Sequence, residues 1–238
     1  QGAGTFTLNG GIPISFSGVT SFTFNAGDMD DTATVSPFAT PSQPWNVAVA
    51  IDGGTGTDRI TYNNVAGLAD STRVTAIAAQ AGRIDSPGVE SASSDLVVSF
   101  SNVENITADA NPGEDDLLTV NLRDTSAPDR ANLFFNPDPG ADDIQLVGLF
   151  KMVVDTANYI GLTVNGNSGD DTFDLALVGA GGAAAAGTLP IPLMINGGMP
   201  WASDTLILTG NNGANDTFTI TPGPDSHSGL AAITGTDT

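Results

Sequence analysis

The residues of this sequence that could do chemistry are carboxylates in turns rich in glycine and asparagine. In each turn a Gly/Asn-rich bend is followed by Asp and then by a run of alternating apolar residues. Ca²⁺ prefers carboxylate and backbone carbonyl oxygens, roughly six to eight of them. The sequence therefore predicts calcium ligands at Asp28, Asp30, Asp31, Gly53, Gly54, Gly56, Asp58, Asp115, Asp142, Asn165, Asp170, Asp171, Asp204 and Asp216.

The charge of the chain favours such a cation and argues against several other partners. There are 27 Asp and Glu residues against six Lys and Arg, which gives a net charge of −21 at pH 7. A surface this negative repels nucleic acid and anionic lipid, so no nucleic-acid partner is expected. Because the chain has one histidine and no cysteine, we expect a hard, oxygen-liking cation and not zinc.

The same carboxylates have two other interpretations, one without a metal and one as an active site. In the first, Asp58, Asp115 and Asp171 accept hydrogen bonds from turn amides and bind nothing. In the second, paired acids act on a polysaccharide, as in parallel β-helix enzymes. The acidic pairs recur along the chain, whereas an active site is normally built once, and His227 has no identifiable catalytic partners. We predict that the chain is not an enzyme, with the polysaccharide-active enzyme as an alternative.

The elements that must position these turns are short extended runs. Residues 21–24, 47–51, 117–120 and 217–220 alternate apolar side chains with Thr, Ser, Asn or Ala, a pattern typical of strands with one buried face. Gly, Asn, Asp and Pro interrupt such runs every few residues. No apolar run reaches the roughly 18–20 residues of a membrane span, so no membrane insertion is expected. The sequence predicts an all-β fold.

The acidic turns recur at a nearly constant spacing, which decides the predicted architecture. The successive intervals are 27, 57, 27, 29 and 33 residues for the series Asp31, Asp58, Asp115, Asp142, Asp171 and Asp204. The interval of 57 is close to twice 28, and Asp85 lies near the missing position. A period near 28 predicts an elongated β-solenoid, similar to a parallel β-helix, whose coils stack with their turns in register. A tandem β-sandwich is the alternative.

Two long segments of the chain resemble each other in sequence. Residues 22–61 and 162–207 both contain an Asp-Asp-Thr turn, then a proline-containing loop, then an apolar run that ends in Ile-(Asp/Asn)-Gly-Gly. Residues 215–220 near the tail also resemble residues 4–8 near the head, as if the pattern continued from one end to the other. We therefore treat residues 1–238 as a single elongated β-repeat module.

One segment carries a resemblance to a known family. Residues 53–61, Gly-Gly-Thr-Gly-Thr-Asp-Arg-Ile-Thr, fit G-G-x-G-x-D-x-U-x at every fixed position. The segment resembles the nonapeptide of RTX (haemolysin-type) calcium-binding proteins. Residues 98–106 and 163–173 are similar to the degenerate repeats of giant bacterial surface and adhesin-like proteins. RTX nonapeptides follow one another directly, whereas the turns here stand about 28 residues apart. The resemblance implies Ca²⁺ in the turns and an exported, modular, structural protein.

These features predict an extracellular structural module of a fibre, surface layer or adhesin. It would stack end to end with copies of itself or with neighbouring repeat modules, and Ca²⁺ would stabilise it. A carbohydrate- or surface-binding adhesin module at the cell surface is the alternative function. For that function Trp45 and Trp201, each preceded by proline, are the candidate stacking residues.

Overall fold

The computed structural model describes residues 2–6, 12–36, 47–63, 71–86, 97–110, 115–135, 143–155, 158–176, 191–199, 203–210, 215–224 and 228–236. These residues form twenty β-strands and no helix, which confirms the all-β prediction. The strands are β1 (Gly2–Phe6), β2 (Ile14–Val19), β3 (Ser21–Asn25), β4 (Thr32–Val35), β5 (Ala48–Asp52), β6 (Arg59–Asn63), β7 (Ser71–Ala78), β8 (Ala81–Asp85), β9 (Val97–Ser101), β10 (Asn105–Asp109), β11 (Asp116–Asn121), β12 (Arg130–Phe135), β13 (Asp143–Val147), β14 (Lys151–Asp155), β15 (Tyr159–Asn165), β16 (Thr172–Ala176), β17 (Leu193–Asn196), β18 (Thr205–Thr209), β19 (Asn215–Pro222) and β20 (Gly229–Thr236).

Sixteen of these strands form two large mixed sheets. Sheet 1 has the order β17-β15-β11-β7-β8-β9-β5-β3, and sheet 2 has the order β18-β16-β12-β13-β14-β10-β6-β4. Within each sheet all pairs are parallel except those of one strand, β8 in sheet 1 and β13 in sheet 2. The remaining strands form two separate antiparallel hairpins, β1-β2 and β19-β20.

The two sheets are connected by six strand–turn–strand units, each of which begins in sheet 1 and ends in sheet 2. Unit 1 is β3–β4, unit 2 is β5–β6, unit 3 is β9–β10, unit 4 is β11–β12, unit 5 is β15–β16 and unit 6 is β17–β18. Units 1–3 and units 4–6 are separated by two hairpins, β7-β8 in sheet 1 and β13-β14 in sheet 2. The molecule therefore has two halves of three units each.

The period-2 pattern of the sequence explains why these segments are strands. In β6 the side chains of Ile60 and Tyr62 are fully buried, and Thr61 between them is more exposed. Ile60, Ile106 and Met152 occupy aligned positions on neighbouring strands and are all fully buried. The inward side chains of both sheets form one hydrophobic cluster. Burial of each large aliphatic side chain contributes about 1.5–3 kcal/mol to the free energy of unfolding.

A spacing close to the predicted 28 residues is found only between units 1 and 2, and the spacing between units 5 and 6 is somewhat longer. Aligned residues of units 1 and 2 are 27 apart, and those of units 5 and 6 are 31–33 apart. Between units 2 and 3 the offset is 46–50, and between units 4 and 5 it is 42–45. These offsets are larger because the chain forms a hairpin between the two units, β7-β8 between units 2 and 3 and β13-β14 between units 4 and 5. The predicted marker Asp85 lies in β8, where it is buried and paired with Arg73, and not in a turn.

Candidate functional site

The turns of all six units lie side by side along one edge of the sheets, which we call the turn edge. Between units 1 and 2, the Thr55 N–H donates to the Gly27 carbonyl at 2.9 Å and the Met29 N–H donates to the Thr55 carbonyl at 2.7 Å. Between units 5 and 6, Met199 bonds in the same way to Asn167 at 2.7 Å and accepts from Gly169 at 2.8 Å. These turn carbonyls therefore face the neighbouring turn and accept hydrogen bonds from its backbone N–H groups.

The acid that precedes each sheet 2 strand is the main functional group of this edge. In the first half, the Asp31 N–H donates to Asp58 Oδ1 at 2.8 Å, and the Asp58 N–H donates to Glu104 Oε2 at 2.6 Å. In the second half, the Asp129 N–H donates to Asp171 Oδ1 at 2.8 Å, and the Asp171 N–H donates to Asp204 Oδ1 at 2.9 Å.

We call this series the carboxylate ladder; its members are Asp31, Asp58, Glu104, Asp129, Asp171 and Asp204. In both halves the amide of one unit donates to the carboxylate of the following unit, so the ladder has a direction. Hydrogen bonds to charged groups stabilise a fold by about 1.5–3 kcal/mol each. The ladder therefore fixes the register between neighbouring units.

The ladder carboxylates are removed from solvent at the centre of each half. Asp58 is 2% exposed and Asp171 is fully buried. Desolvation raises the pKa of Asp171; the hydrogen bond from the Asp129 backbone lowers it, and the charges of Asp129 and Asp204 raise it further. Among the described residues, Oδ2 of Asp58 and Oδ2 of Asp171 have no hydrogen-bond partner.

Two glycines make room for these carboxylates. A Cβ atom at Gly53 would collide with Asp58 Oδ2 and with the backbone carbonyl of Asn102 in unit 3. A Cβ atom at Gly166 would collide with Asp171 Oδ2 and with the carbonyl of Gly197 in unit 6. The first glycine of the predicted calcium motif is therefore required where a buried carboxylate and the next unit both approach the backbone.

A second ladder, of amide side chains, runs beside the first in units 4–6. Asn196 Nδ2 donates to Asn165 Oδ1 at 3.2 Å, Asn165 Nδ2 donates to Asn121 Oδ1 at 2.8 Å, and Asn121 Nδ2 donates to Thr75 Oγ1 at 3.1 Å. We call Asn121, Asn165 and Asn196 the asparagine ladder. Each of these residues ends its sheet 1 strand, so the ladder fixes the register at the point where the chain enters the turn.

Several predicted calcium ligands already serve as hydrogen-bond acceptors between units. Asp28 Oδ1 accepts from the Thr55 hydroxyl at 2.9 Å, and Asp30 Oδ1 accepts from the Thr57 N–H at 2.8 Å. Asp28, Asp30 and Asp170 are exposed. Asp115 is also exposed, but it directly precedes β11 of sheet 1 and so lies away from the turn edge. Asp142 and the side chain of Asp216 lie outside the described residues, as do Trp45, Trp201 and His227.

The buried part of the ladder does not fit a calcium cradle. Asp58 and Asp171 each use one oxygen for a neighbouring amide and turn the other against their own glycine. The turn carbonyls of Gly27, Thr55, Asn167 and Met199 already accept hydrogen bonds from the neighbouring turns. Within the described ranges, no group of three acidic or histidine side chains could hold a metal ion. Calcium binding at the exposed acids stays a prediction.

Sequence reasoning missed two members of the ladder, Glu104 and Asp129. The unit 3 turn has no glycine, and the unit 4 turn contains Pro128 shortly before the acid, so neither has the Gly-rich bend that marked the other turns. The pattern after the acid could have found both. Asp58-Arg-Ile-Thr-Tyr matches Glu104-Asn-Ile-Thr-Ala, an acid followed by two apolar residues two positions apart.

No protein-family model, curated protein or solved structure matches this chain. The part of the chain that the structure describes contains no helix long and apolar enough to cross a membrane.

Proposed function

We propose that this chain is an extracellular structural module, an elongated β-solenoid similar to a parallel β-helix, in a fibre, surface layer or adhesin. The observation that carries the proposal is that the same contact is repeated from unit to unit. The carboxylate ladder links units 1, 2 and 3 and then units 4, 5 and 6, always in the same direction. A contact that is repeated in this way resists sliding and separation of the units, which is what a load-bearing module needs.

The polar groups of the turn edge serve this stack. Four ladder amides, those of Asp31, Asp58, Asp129 and Asp171, each donate to the carboxylate of the following unit, so every added unit extends a hydrogen-bonded column. The net charge of −21 makes two such modules repel each other side by side, because both carry the same sign. Lateral aggregation is therefore disfavoured.

In this proposal, only the exposed acids bind calcium. Asp28, Asp30 and Asp170 lie on the solvent side of the turn edge, and each has a carboxylate that could be shared with a cation. Such sites would reduce the repulsion between neighbouring turns without replacing the amide bonds of the ladder.

The test is a tandem protein with two copies of the chain joined head to tail. If the module stacks with its neighbours, the tandem protein has twice the length of one copy in small-angle X-ray scattering. It also unfolds at a higher temperature, because each added unit gains a neighbour.

The matched control joins one copy to an unrelated globular domain of the same size. A tandem protein that scatters as two beads on a flexible link, and melts at the temperature of the single copy, would overturn the structural proposal.

A further inference from the structure

Two Asn-Gly pairs within the described residues occupy equivalent positions in neighbouring units. Asn165 ends β15 of unit 5, Asn196 ends β17 of unit 6, and the two residues are aligned in sheet 1. Each is followed by glycine, whose backbone nitrogen can attack the side-chain carbonyl carbon of the asparagine. Glycine hinders this approach least, because it has no Cβ atom and a wide range of backbone angles. The two pairs share the same chemistry, so a difference in their reactivity must come from their surroundings.

The pair in unit 5 is held by the units on both sides. The Gly166 N–H, which carries the attacking nitrogen, donates to the Asn196 carbonyl at 2.8 Å. The side chain of Asn165 is bonded at both ends, since its Nδ2 donates to Asn121 Oδ1 at 2.8 Å and its Oδ1 accepts from Asn196 Nδ2 at 3.2 Å. Gly166 is also buried. Neither reacting group is free to approach the other.

The pair in unit 6 lacks the neighbour that holds the pair in unit 5. Its strand β17 is the last strand of sheet 1, so no following unit lies beside it. Among the described residues, none accepts a hydrogen bond from the Gly197 N–H and none donates to Asn196 Oδ1. Asn196 is exposed, and the bond from its Nδ2 to Asn165 is the one contact that fixes its amide in the described part of the chain. Both reacting groups are therefore accessible to each other and to water.

We propose that Asn196 is a site of spontaneous deamidation, and that stacking protects Asn165 from the same reaction. The Gly197 N–H loses its proton to solvent, and the nitrogen forms a bond to Cγ of Asn196. The bond from Cγ to Nδ2 breaks and ammonia leaves, which produces a cyclic imide. Water then adds to either carbonyl of the imide and opens it to aspartate or isoaspartate. One water is consumed, one ammonia is released and no redox partner is needed.

An aspartate is compatible with this position of the fold. Asp52 ends β5 of unit 2 and precedes Gly53-Gly54, as Asn196 precedes Gly197-Gly198. The carboxylate of Asp52 accepts from Asn102 Nδ2 at 2.8 Å and from the Ser101 hydroxyl at 3.3 Å. The aspartate formed in unit 6 would therefore resemble a residue that the stack already contains.

The asparagine ladder can adapt to that product by reversing its direction. Its amides now donate in series from Asn196 to Asn165, to Asn121 and finally to Thr75 Oγ1. A carboxylate at position 196 has no N–H, so Asn165 and then Asn121 must turn their amides over. Thr75 completes the reversed series, because a hydroxyl can donate as well as accept. Isoaspartate instead lengthens the main chain by one methylene group and shifts the unit 6 turn.

The test is peptide mapping of the folded protein by mass spectrometry during incubation at mildly alkaline pH and physiological temperature. Chymotryptic cleavage after Phe173 and Trp201 places Asn165 and Asn196 on separate peptides, and a third pair, Asn212-Gly213, outside the described residues, on another. We expect conversion at Asn196 to be roughly tenfold or more faster than at Asn165, because an edge strand opens more readily than an interior strand. The released ammonia should equal the sum of the converted sites.

Two variants and one condition control this measurement. Asn196→Asp carries the product's charge from the start and provides the reference peptide for aspartate as opposed to isoaspartate. Asn196→Gln keeps an amide but places its carbonyl carbon one bond further from the Gly197 nitrogen, so its peptide should stay unconverted. Circular dichroism shows that both variants are folded. In urea, where no unit is stacked, wild-type Asn165 and Asn196 should react at similar rates.

Each contrary result overturns the inference. If Asn196 is not converted in the folded protein, the open edge holds its Asn-Gly pair as firmly as the interior does. If Asn165 and Asn196 are converted at the same rate, stacking does not protect the pair in unit 5. If Asn196 still reacts much faster than Asn165 in urea, local sequence and not the position in the stack causes the difference. None of these results depends on the proposed structural function.

Discussion

The two halves of the turn edge have the same carboxylate ladder but differ in what surrounds it. Units 1 and 2 repeat with a constant offset of 27 residues, which aligns Asp28 with Thr55, Asp30 with Thr57 and Ser36 with Asn63. Units 4–6 repeat with offsets from 45 down to 31 and add the asparagine ladder. The carboxylate-to-amide bond is common to both halves, whereas the contacts around it vary. That bond is therefore what the architecture depends on.

The halves also differ in how they balance charge. In the second half Arg123 holds Asp129: its backbone N–H donates to Oδ2 at 2.9 Å and its Nε donates to Oδ1 at 2.8 Å. This contact raises the pKa of Arg123, mainly through the hydrogen bond to Asp129. In the first half, no ion pair reaches Asp31, Asp58 or Glu104 from any described residue. Among the described residues, the ladder carboxylates of the first half are therefore held by amide hydrogen bonds and not by ion pairs.

The largest expected effect comes from filling the space under a buried carboxylate. Gly166→Ala places a methyl group against the Gly197 carbonyl and Asp171 Oδ2, both of which are fixed in the stack. We expect a loss of about 3 kcal/mol in the free energy of unfolding, measured by urea denaturation. Gly53→Ala tests the same geometry in the first half and should cost a similar amount.

Gly27→Ala is the control for this pair. Nothing lies within 4 Å of a Cβ atom at Gly27, but the residue has a φ of +101°. The expected cost is the left-handed backbone strain alone, about 1–2 kcal/mol. Equal losses at Gly27 and Gly166 would show that close approach of the next unit is not what requires glycine.

Removal of a ladder carboxylate is the next largest effect. Asp171→Ala leaves the Asp129 N–H without its acceptor in a buried position, and we expect a loss of about 2 kcal/mol in urea denaturation. Asp170→Ala, at the exposed neighbouring position, should change stability by less than about 0.5 kcal/mol. If both variants lose the same amount, the ladder does not determine stability in this half.

Local pattern in the sequence predicted the all-β fold, the strands at residues 21–24, 47–51, 117–120 and 217–220, and four of the six ladder acids, Asp31, Asp58, Asp171 and Asp204. These turns are marked because a buried carboxylate beside a close backbone requires glycine. The central hairpins were not predicted, because β7-β8 and β13-β14 alternate apolar residues as the other strands do, and the strands that flank them, such as β11 beside β7 and β10 beside β14, are distant in sequence. Asp129 was missed because the unit 4 turn is two residues longer than that of unit 5 and needs no glycine-rich bend.

The pH dependence of stability should separate Asp171 from the rest of the edge. Because desolvation raises the pKa of Asp171, the folded protein holds a proton there at pH values where the unfolded chain has lost it. This group therefore favours folding at low pH, and its contribution falls as pH rises from about 3.9, the ordinary value for Asp, through the raised folded value. Asp171→Asn keeps the Oδ1 acceptor and removes the titration.

Relative to wild type, Asp171→Asn should become more stable as pH rises through that range, which is measured by urea denaturation at a series of pH values. Asp170→Asn is the control at the exposed neighbour and should follow the wild-type curve. A constant difference between Asp171→Asn and wild type at all pH values would contradict the assigned shift.

The smallest expected effect is that of calcium, and it should be larger in the first half. Millimolar Ca²⁺ is expected to raise the melting temperature by a few degrees over that in EDTA, because exposed carboxylates bind weakly and binding to the folded state stabilises it by mass action. Asp30→Asn should reduce this rise more than Asp170→Asn, since Asp28 and Asp30 are exposed together in unit 1, where no described cation neutralises them. Mg²⁺ at the same concentration controls for ionic strength and for divalent charge. If the melting temperature is the same in EDTA and in Ca²⁺, the acids of both halves do not bind calcium and serve only as hydrogen-bond acceptors for backbone amides.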